Sequence, residues 1–172
     1  MLLLRAEAVG HFVFSMPPAS PAGIEISTEA ARLDVEAIHA FLRASYWSPG
    51  IPREVLQRAL DNSLCFGAYE GPRQVGFARV VTDRATFAWV CDVYVVESHR
   101  RRRIADALVG AARAHPELQG LRRWSLVTRD AHALYRRHGF EPLADPARAM
   151  EIRRATVYQE TASDRGQGKS QT

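Results

Sequence analysis

The stretch Asp92-Val93-Tyr94-Val95-Val96-Glu97-Ser98-His99-Arg100-Arg101-Arg102-Arg103-Ile104-Ala105 decides the fold. Upstream, Ala88 to Val96 is a nearly unbroken apolar run, the pattern of a strand covered on both faces. Downstream, Ile104, Ala105, Leu108, Val109 and Ala112 recur at helical spacing and predict an amphipathic helix. A strand that turns abruptly into a helix aims unpaired backbone N–H groups at one spot, and the helix dipole adds positive potential there. Such a turn suits a pyrophosphate. Four consecutive arginines raise the local potential further, although a run of like charge is also the ordinary composition of a solvated basic turn.

Patterns on either side extend the alternation. Ile24 and Ile26 predict a short first strand, and Asp34 stands as N-cap before the stripe Val35, Ile38, Phe41, Leu42. Pro52 fits the first turn of a second helix carrying Val55, Leu56 and Leu60. Leu64 to Tyr69 and Gln74 to Thr82 flank Glu70-Gly71-Pro72-Arg73 and read as a β-hairpin. After the decisive unit come a strand at Trp124 to Val127 and a helix capped by Asp130 that carries Ala131, Leu134 and Tyr135. Gly139 stops that helix, and a final strand is expected near Met150 to Ile152. The order β-α-α-β-β-β-α-β-α-β implies an α/β fold, a central mixed β-sheet flanked by helices on both faces. Residues 1–22, ending in Met16-Pro17-Pro18-Ala19-Ser20-Pro21, read as an irregular extension. Residues 23–158 form one domain, and the small polar residues of 159–172 predict a disordered tail.

Length and composition agree with one ordinary domain: 172 residues, 47% hydrophobic and 24% charged. The net charge is +4, and Lys169 is the only lysine. Arginine's planar fork suits bidentate contact with phosphate or carboxylate. Cys65 and Cys91 lie in apolar runs without metal-ligand spacing, so buried reduced thiols and a cytoplasmic compartment are expected, with no metal. The start, Met1 to Arg5, has a short apolar run with no basic segment before it and no small-residue cleavage site after an adequate apolar stretch, so no signal peptide is expected. No run approaches the roughly 20 apolar residues of a membrane helix. A nucleic-acid module built on Arg100 to Arg103, Arg122, Arg123, Arg136 and Arg137 would lack both a recognised motif and aromatic interleaving.

The turn Arg100-Arg101-Arg102-Arg103-Ile104-Ala105 resembles the Q/R-x-x-G-x-G/A loop of the GNAT superfamily of N-acetyltransferases, with Arg100 at the opening position and Ala105 at the closing one. A second block, Thr128-Arg129-Asp130-Ala131-His132-Ala133-Leu134-Tyr135-Arg136-Arg137-His138-Gly139-Phe140, is similar to the family's N-x-x-A-x-x-L-Y-x-x-x-G-F, with Thr128 in place of Asn. The resemblance spans about residues 24 to 155 and implies a GNAT-like acyl-CoA N-acyltransferase fold. It also implies binding of acetyl-CoA as co-substrate, the backbone of Arg100, Arg101, Arg102, Arg103, Ile104 and Ala105 holding the pyrophosphate. Val93, Tyr94 and Val95 would pair with the pantetheine arm, beside Thr128. Arg101 and Arg103 depart from the family, which places glycine there because glycine tolerates unusual φ and lets backbone approach phosphate. Their side chains would either salt-bridge the pyrophosphate or block the pocket.

By the same resemblance Tyr135 is the acid that protonates the departing thiolate, a role its ordinary pKa of about 10 allows at neutral pH. Asp92, a carboxylate in an apolar strand, is a candidate base, because desolvation raises such a group. By strand alternation it shares a face with Tyr94. Arg43, Tyr46 and Trp47 lie around the loop joining the first two helices, where the family shapes its acceptor pocket. The implied activity is transfer of acetyl from acetyl-CoA to a primary amine of a small molecule or peptide by direct attack. The alternative is a catalytically silent GNAT fold that binds a ligand or partner; a homodimer is compatible with either.

Overall fold

The computed structural model describes residues 20–159. The extension expected over 1–22 falls almost wholly outside that range, as does the tail over 159–172. Among the described residues, five strands and four α-helices follow the expected alternation except for its last strand: β1 (Ile24–Ser27), α1 (Val35–Ala44), α2 (Arg53–Asp61), β2 (Leu64–Glu70), β3 (Arg73–Thr82), β4 (Phe87–Val95), α3 (Ile104–Ala114), β5 (Arg123–Ser125) and α4 (His132–Arg136). The sheet order is β1-β2-β3-β4-β5; the first four strands are antiparallel and β5 lies parallel to β4. The mixed sheet flanked by helices matches the expected class.

Local chemistry sets these elements. Asp34 caps α1 by accepting the Ala37 N–H at 2.9 Å. The β2–β3 hairpin turns through Gly71 and Pro72 alone, with Gly71 at φ 57 supplying the left-handed step. Gly139, at φ 81, ends α4, and the Phe140 N–H reaches back to the Tyr135 carbonyl at 3.2 Å.

The sheet buries both faces. On one, Phe66, Ala78, Val80, Ala88 and Val90 pack against Ile104, Leu108, Val109 and Ala112 of α3. On the other, Cys65, Phe77 and Tyr94 pack against Ile38 and Leu42 of α1 and Leu56 and Leu60 of α2. Burying apolar surface on both faces accounts for the continuous apolar reading of β4.

Three expectations need correction. Asp130 does not cap α4; the Thr128 hydroxyl accepts the Ala131 N–H at 3.1 Å instead. The last strand of the sheet covers only Arg123–Ser125, because Leu126 and Val127 turn away from β4. Met150 to Ile152 form no strand within this chain and are exposed. Pro142 and Pro146 break any ladder that would grow from Phe140 along β5, since proline has no N–H to donate.

Candidate active site

β4 and β5 run together for only three residue pairs, Phe87 with Arg123, Ala88 with Trp124 and Trp89 with Ser125. Beyond Trp89, β4 continues to Val95 with β3 on one side and, among the described residues, no strand on the other. A bulge sits at this parting. Phe77 pairs with Tyr94 but Arg79 with Cys91, so Asp92 and Val93 together oppose Ala78, and Asp92 adopts φ 55. Val93, Tyr94 and Val95 therefore lie on a strand with one open edge among the described residues.

The turn after Val95 holds the central result. Both positions where the family places glycine keep a glycine-like backbone, with Arg101 at φ 64 and Arg103 at φ 59. Left-handed backbone in a bulky L-residue costs energy and marks a geometry fixed by its surroundings. The first helical bond runs from the Ala107 N–H to the Arg103 carbonyl at 3.0 Å. The N–H groups of residues 101–106 meet no acceptor among the described residues. Backbone turns of this kind form concave nests for anions.

The arginine side chains leave that nest open. All four are exposed. Arg102 bonds Glu70 at 2.8 Å, Arg103 bonds Asp106 at 2.7 Å, and the Arg100 Nε reaches the Val95 carbonyl at 3.5 Å. A cleft of about 290 Å3 remains, lined by Val95, Arg100, Arg101, Arg103, Ile104 and Ala105, with Leu134 and Arg137 from α4. Guanidinium groups rim the crevice and do not fill it.

α4 brings Tyr135 to the same parting of the strands. Its ring is buried and packs edge-on against Phe140, with centroids 5.8 Å apart. Among the described residues its hydroxyl has no hydrogen-bond partner. Burial pushes the phenol up to about 12, so it keeps its proton. Cys91 and Tyr46 are close enough to act on it electrostatically. Burial likewise pushes the Cys91 thiol up to about 12 and Cys65 to about 11, which leaves both unreactive.

Asp92, the candidate base, is buried and fully engaged at its two oxygens. One oxygen accepts from Arg79 at 2.7 Å and the other from the Trp47 indole at 3.2 Å. Asp92 does share its face with Tyr94, whose ring stacks on Phe41 at 3.9 Å. Arg79, opposite Cys91 in the register, went unnoticed in the sequence because only cross-strand pairing brings it to Asp92.

The acceptor-side residues are partly gathered. Tyr46 and Trp47 contact each other edge-to-face at 4.9 Å, both well exposed. Arg129, from the turn before α4, lies over the Tyr46 ring at 3.8 Å and joins this loop to the Tyr135 side. Arg43 points to solvent on α1.

A further cluster escaped sequence reading. The buried Asp106 carboxylate, in the first turn of α3, receives Arg103 at 2.7 Å, Arg137 at 3.0 Å and His138 at 3.1 Å. Burial pushes its pKa up, but the three hydrogen bonds outweigh that and hold it below the usual carboxylate value. It ties the turn to α4 and so to Tyr135. The other end of the turn is fixed by buried His99, which bonds Glu70 at 3.0 Å. The signal available in sequence was Asp106 three residues after Arg103, a spacing that brings helical neighbours together.

Comparison with known proteins identifies the family. The Acetyltransferase (GNAT) domain family matches residues 61–142. A Gibberella zeae protein, provisionally named an acetyltransferase, is 34% identical over 134 residues, covering 64% of this chain and 74% of that protein. The chain belongs to the GNAT acetyltransferase family. A GNAT-family protein of Xanthomonas campestris pv. campestris, also provisionally an acetyltransferase, is 48% identical. Its crystal structure superposes with a TM-score of 0.77 over 78% of this chain and 96% of that one. A Clostridium acetobutylicum predicted acetyltransferase, crystallised with acetyl-CoA, shares the GNAT fold at 14% identity and a TM-score of 0.58, over 76% of this chain and 96% of that one. GNAT membership makes this chain an acyltransferase. No helix among the described residues is long and apolar enough to cross a membrane.

Proposed function

We propose that this GNAT protein transfers acetyl from acetyl-CoA to a primary amine of a small molecule or peptide. The observation that carries the reading is the left-handed backbone of Arg101 and Arg103, which keeps the N–H groups of residues 101–106 convergent despite the missing glycines. Those unpaired amides beside an open cleft of about 290 Å3 fit a diphosphate, and the rim of guanidinium groups adds charge. The acetyl-CoA held by the Clostridium acetobutylicum relative of the same fold supports the choice of donor.

Bound acetyl-CoA would supply a thioester for attack by the amine. The chain's own parts divide the remaining work. The open edge of Val93, Tyr94 and Val95 orients the pantetheine as an added strand. Thr128 closes the turn opposite by its bond to Ala131. The Tyr135 hydroxyl, protonated and without a partner, donates to the departing sulfur. Burial raises the phenol, so it holds its proton until charge develops on the sulfur. Tyr46 and Trp47 wall the acceptor entrance, with Arg43 at its outer side. Asp92 holds the Trp47 indole there, and the amine's proton leaves through solvent. The thiols Cys65 and Cys91, free in this structure, support a reducing, cytoplasmic setting.

Calorimetric titration of acetyl-CoA into the protein tests the donor, with Arg101→Gly/Arg103→Gly alongside. Micromolar binding by both proteins is expected. Binding by the variant alone means that the arginines occlude the nest, and binding by neither removes the proposal.

A further inference from the structure

We propose that the acceptor is the N-terminal amine of a short apolar peptide with a free C-terminal carboxylate, lying along the half of the sheet that α1 and α2 leave bare. The assignment rests on the acetyl-transfer reading and specifies its acceptor. Val80, Ala88 and Val90 are buried under α3, so strand alternation turns Val81, Phe87 and Trp89 to the opposite face. There α1 and α2 pack over the part of the sheet around Cys65, Phe77 and Tyr94. Val81, Phe87 and Trp89 stay 36%, 38% and 41% exposed. Val81 pairs with Trp89 across β3 and β4, while Phe87 pairs with Arg123 and Trp89 with Ser125 across β4 and β5. The three apolar side chains form a floor, and Arg123 stands at its far end.

That floor is continuous with the reaction centre. Cys91, two residues beyond Trp89, lies within electrostatic reach of the Tyr135 hydroxyl. Trp47 stands at the same end, held by its indole bond to Asp92 at 3.2 Å, with Tyr46 against it. From Cys91 back to Phe87 is four residues of strand, about 13 Å. An extended tetrapeptide spans about the same length, so an amine at Tyr135 brings its carboxylate to Arg123. Contiguous exposed apolar surface marks an interaction site, and its continuity with the cleft fits a substrate.

Charge narrows the class. Asp92 is paired with Arg79, and Asp130 with Arg129. Asp83, in the β3–β4 turn, is taken up by the N–H groups of Ala85, Thr86 and Phe87. A polyamine or a lysine-rich peptide would find none of these three carboxylates free. The Arg123 side chain, by contrast, has no ion-pair partner among the described residues. An arginine fork suits a terminal carboxylate, and the rings of Trp89 and Phe87 suit apolar side chains.

Steady-state acetylation of alanyl-leucyl-phenylalanyl-leucine, its C-terminal amide and spermidine tests the assignment, with acetyl-CoA binding measured separately by calorimetry. The free acid should show a KM at least about tenfold below that of the amide, and spermidine should be the poorest acceptor. Trp89→Ala should raise the peptide KM at least about tenfold, Trp89→Phe recovering most of it, with acetyl-CoA affinity unmoved. Arg123→Ala should erase the preference for acid over amide. Acetyl-CoA binding with no peptide turned over, or with spermidine used as well as the peptide, overturns the peptide assignment and leaves the donor standing. No acetyl-CoA binding removes both. A Trp89→Ala protein of lower mass in sedimentation, with an unchanged peptide KM, would assign this face to a second copy of the chain and overturn the proposal.

Discussion

Arg101 and Arg103 share one backbone conformation but not one environment, so replacing each with glycine should move stability in opposite directions. Left-handed backbone costs an L-residue about 1–2 kcal/mol, and glycine gives back about 0.4–1 kcal/mol as extra freedom of the unfolded chain. Arg101 has no side-chain partner among the described residues, so Arg101→Gly should stabilise by about 0.5–1 kcal/mol. For a domain of this size that raises Tm by about 1–4 °C. Arg103→Gly gains the same relief but strips the buried Asp106 carboxylate of a hydrogen bond at 2.7 Å. A bond to a charged group is worth about 1.5–3 kcal/mol, and exposure of the guanidinium puts this one at the low end. The net should be a loss of about 1 kcal/mol, a Tm about 2–4 °C lower. Differential scanning calorimetry of the two single variants is the assay. Shifts of the same sign would refute the claim that Asp106 is what holds Arg103 in place.

Tyr135→Phe should lower kcat about 10–100-fold with KM for acetyl-CoA within about twofold, read by steady-state assay once an acceptor is in hand. Asp92→Asn keeps a residue tolerant of positive φ while leaving the Arg79 charge buried and unmatched, so urea unfolding should show a loss of about 3–5 kcal/mol. Combined with Arg79→Leu, the loss should be smaller than the sum of the single effects. With Cys65 near 11 and Cys91 near 12, alkylation by iodoacetamide at pH 8 should be at least about 100-fold slower in native protein than in urea. The same groups, with Tyr135, are raised above unfolded values of 9.0 and 10.0. Their contribution to stability is therefore full below about pH 9 and lost as pH climbs toward 12, which denaturant titrations at pH 8, 9.5 and 10.5 would record.

Periodicity made most of the scaffold legible. The switch from the β4 apolar run to the α3 stripe located the decisive turn, and the spacing of Ala131, Leu134 and Tyr135 marked α4. What stayed hidden depends on contacts between distant segments. The bulge at Asp92 is invisible to a period of two, since an extra residue has no compositional signature. The Arg79–Asp92 pair exists only because β3 and β4 register as they do, and Asp106 reads as one polar position on an amphipathic helix until Arg137 and His138 arrive from α4. Arg101 and Arg103 left two outcomes open in the sequence, a salt bridge to the pyrophosphate or a blocked pocket; both keep a left-handed backbone and rim the cleft with exposed side chains. Met150 and Ile152 have the alternation of a strand but no strand partner among the described residues.

The bulge makes β4 a phase shifter. Val90 faces α3, yet Asp92, two places on, looks toward α1 and α2, so the strand's halves are read in opposite parity. Substitutions along it cost only their own contacts. Deleting one residue between Val90 and Val93 would cancel the half-turn and swing the rings and carbonyls beyond it to the wrong side. Length, more than lettering, is what this strand cannot afford to vary.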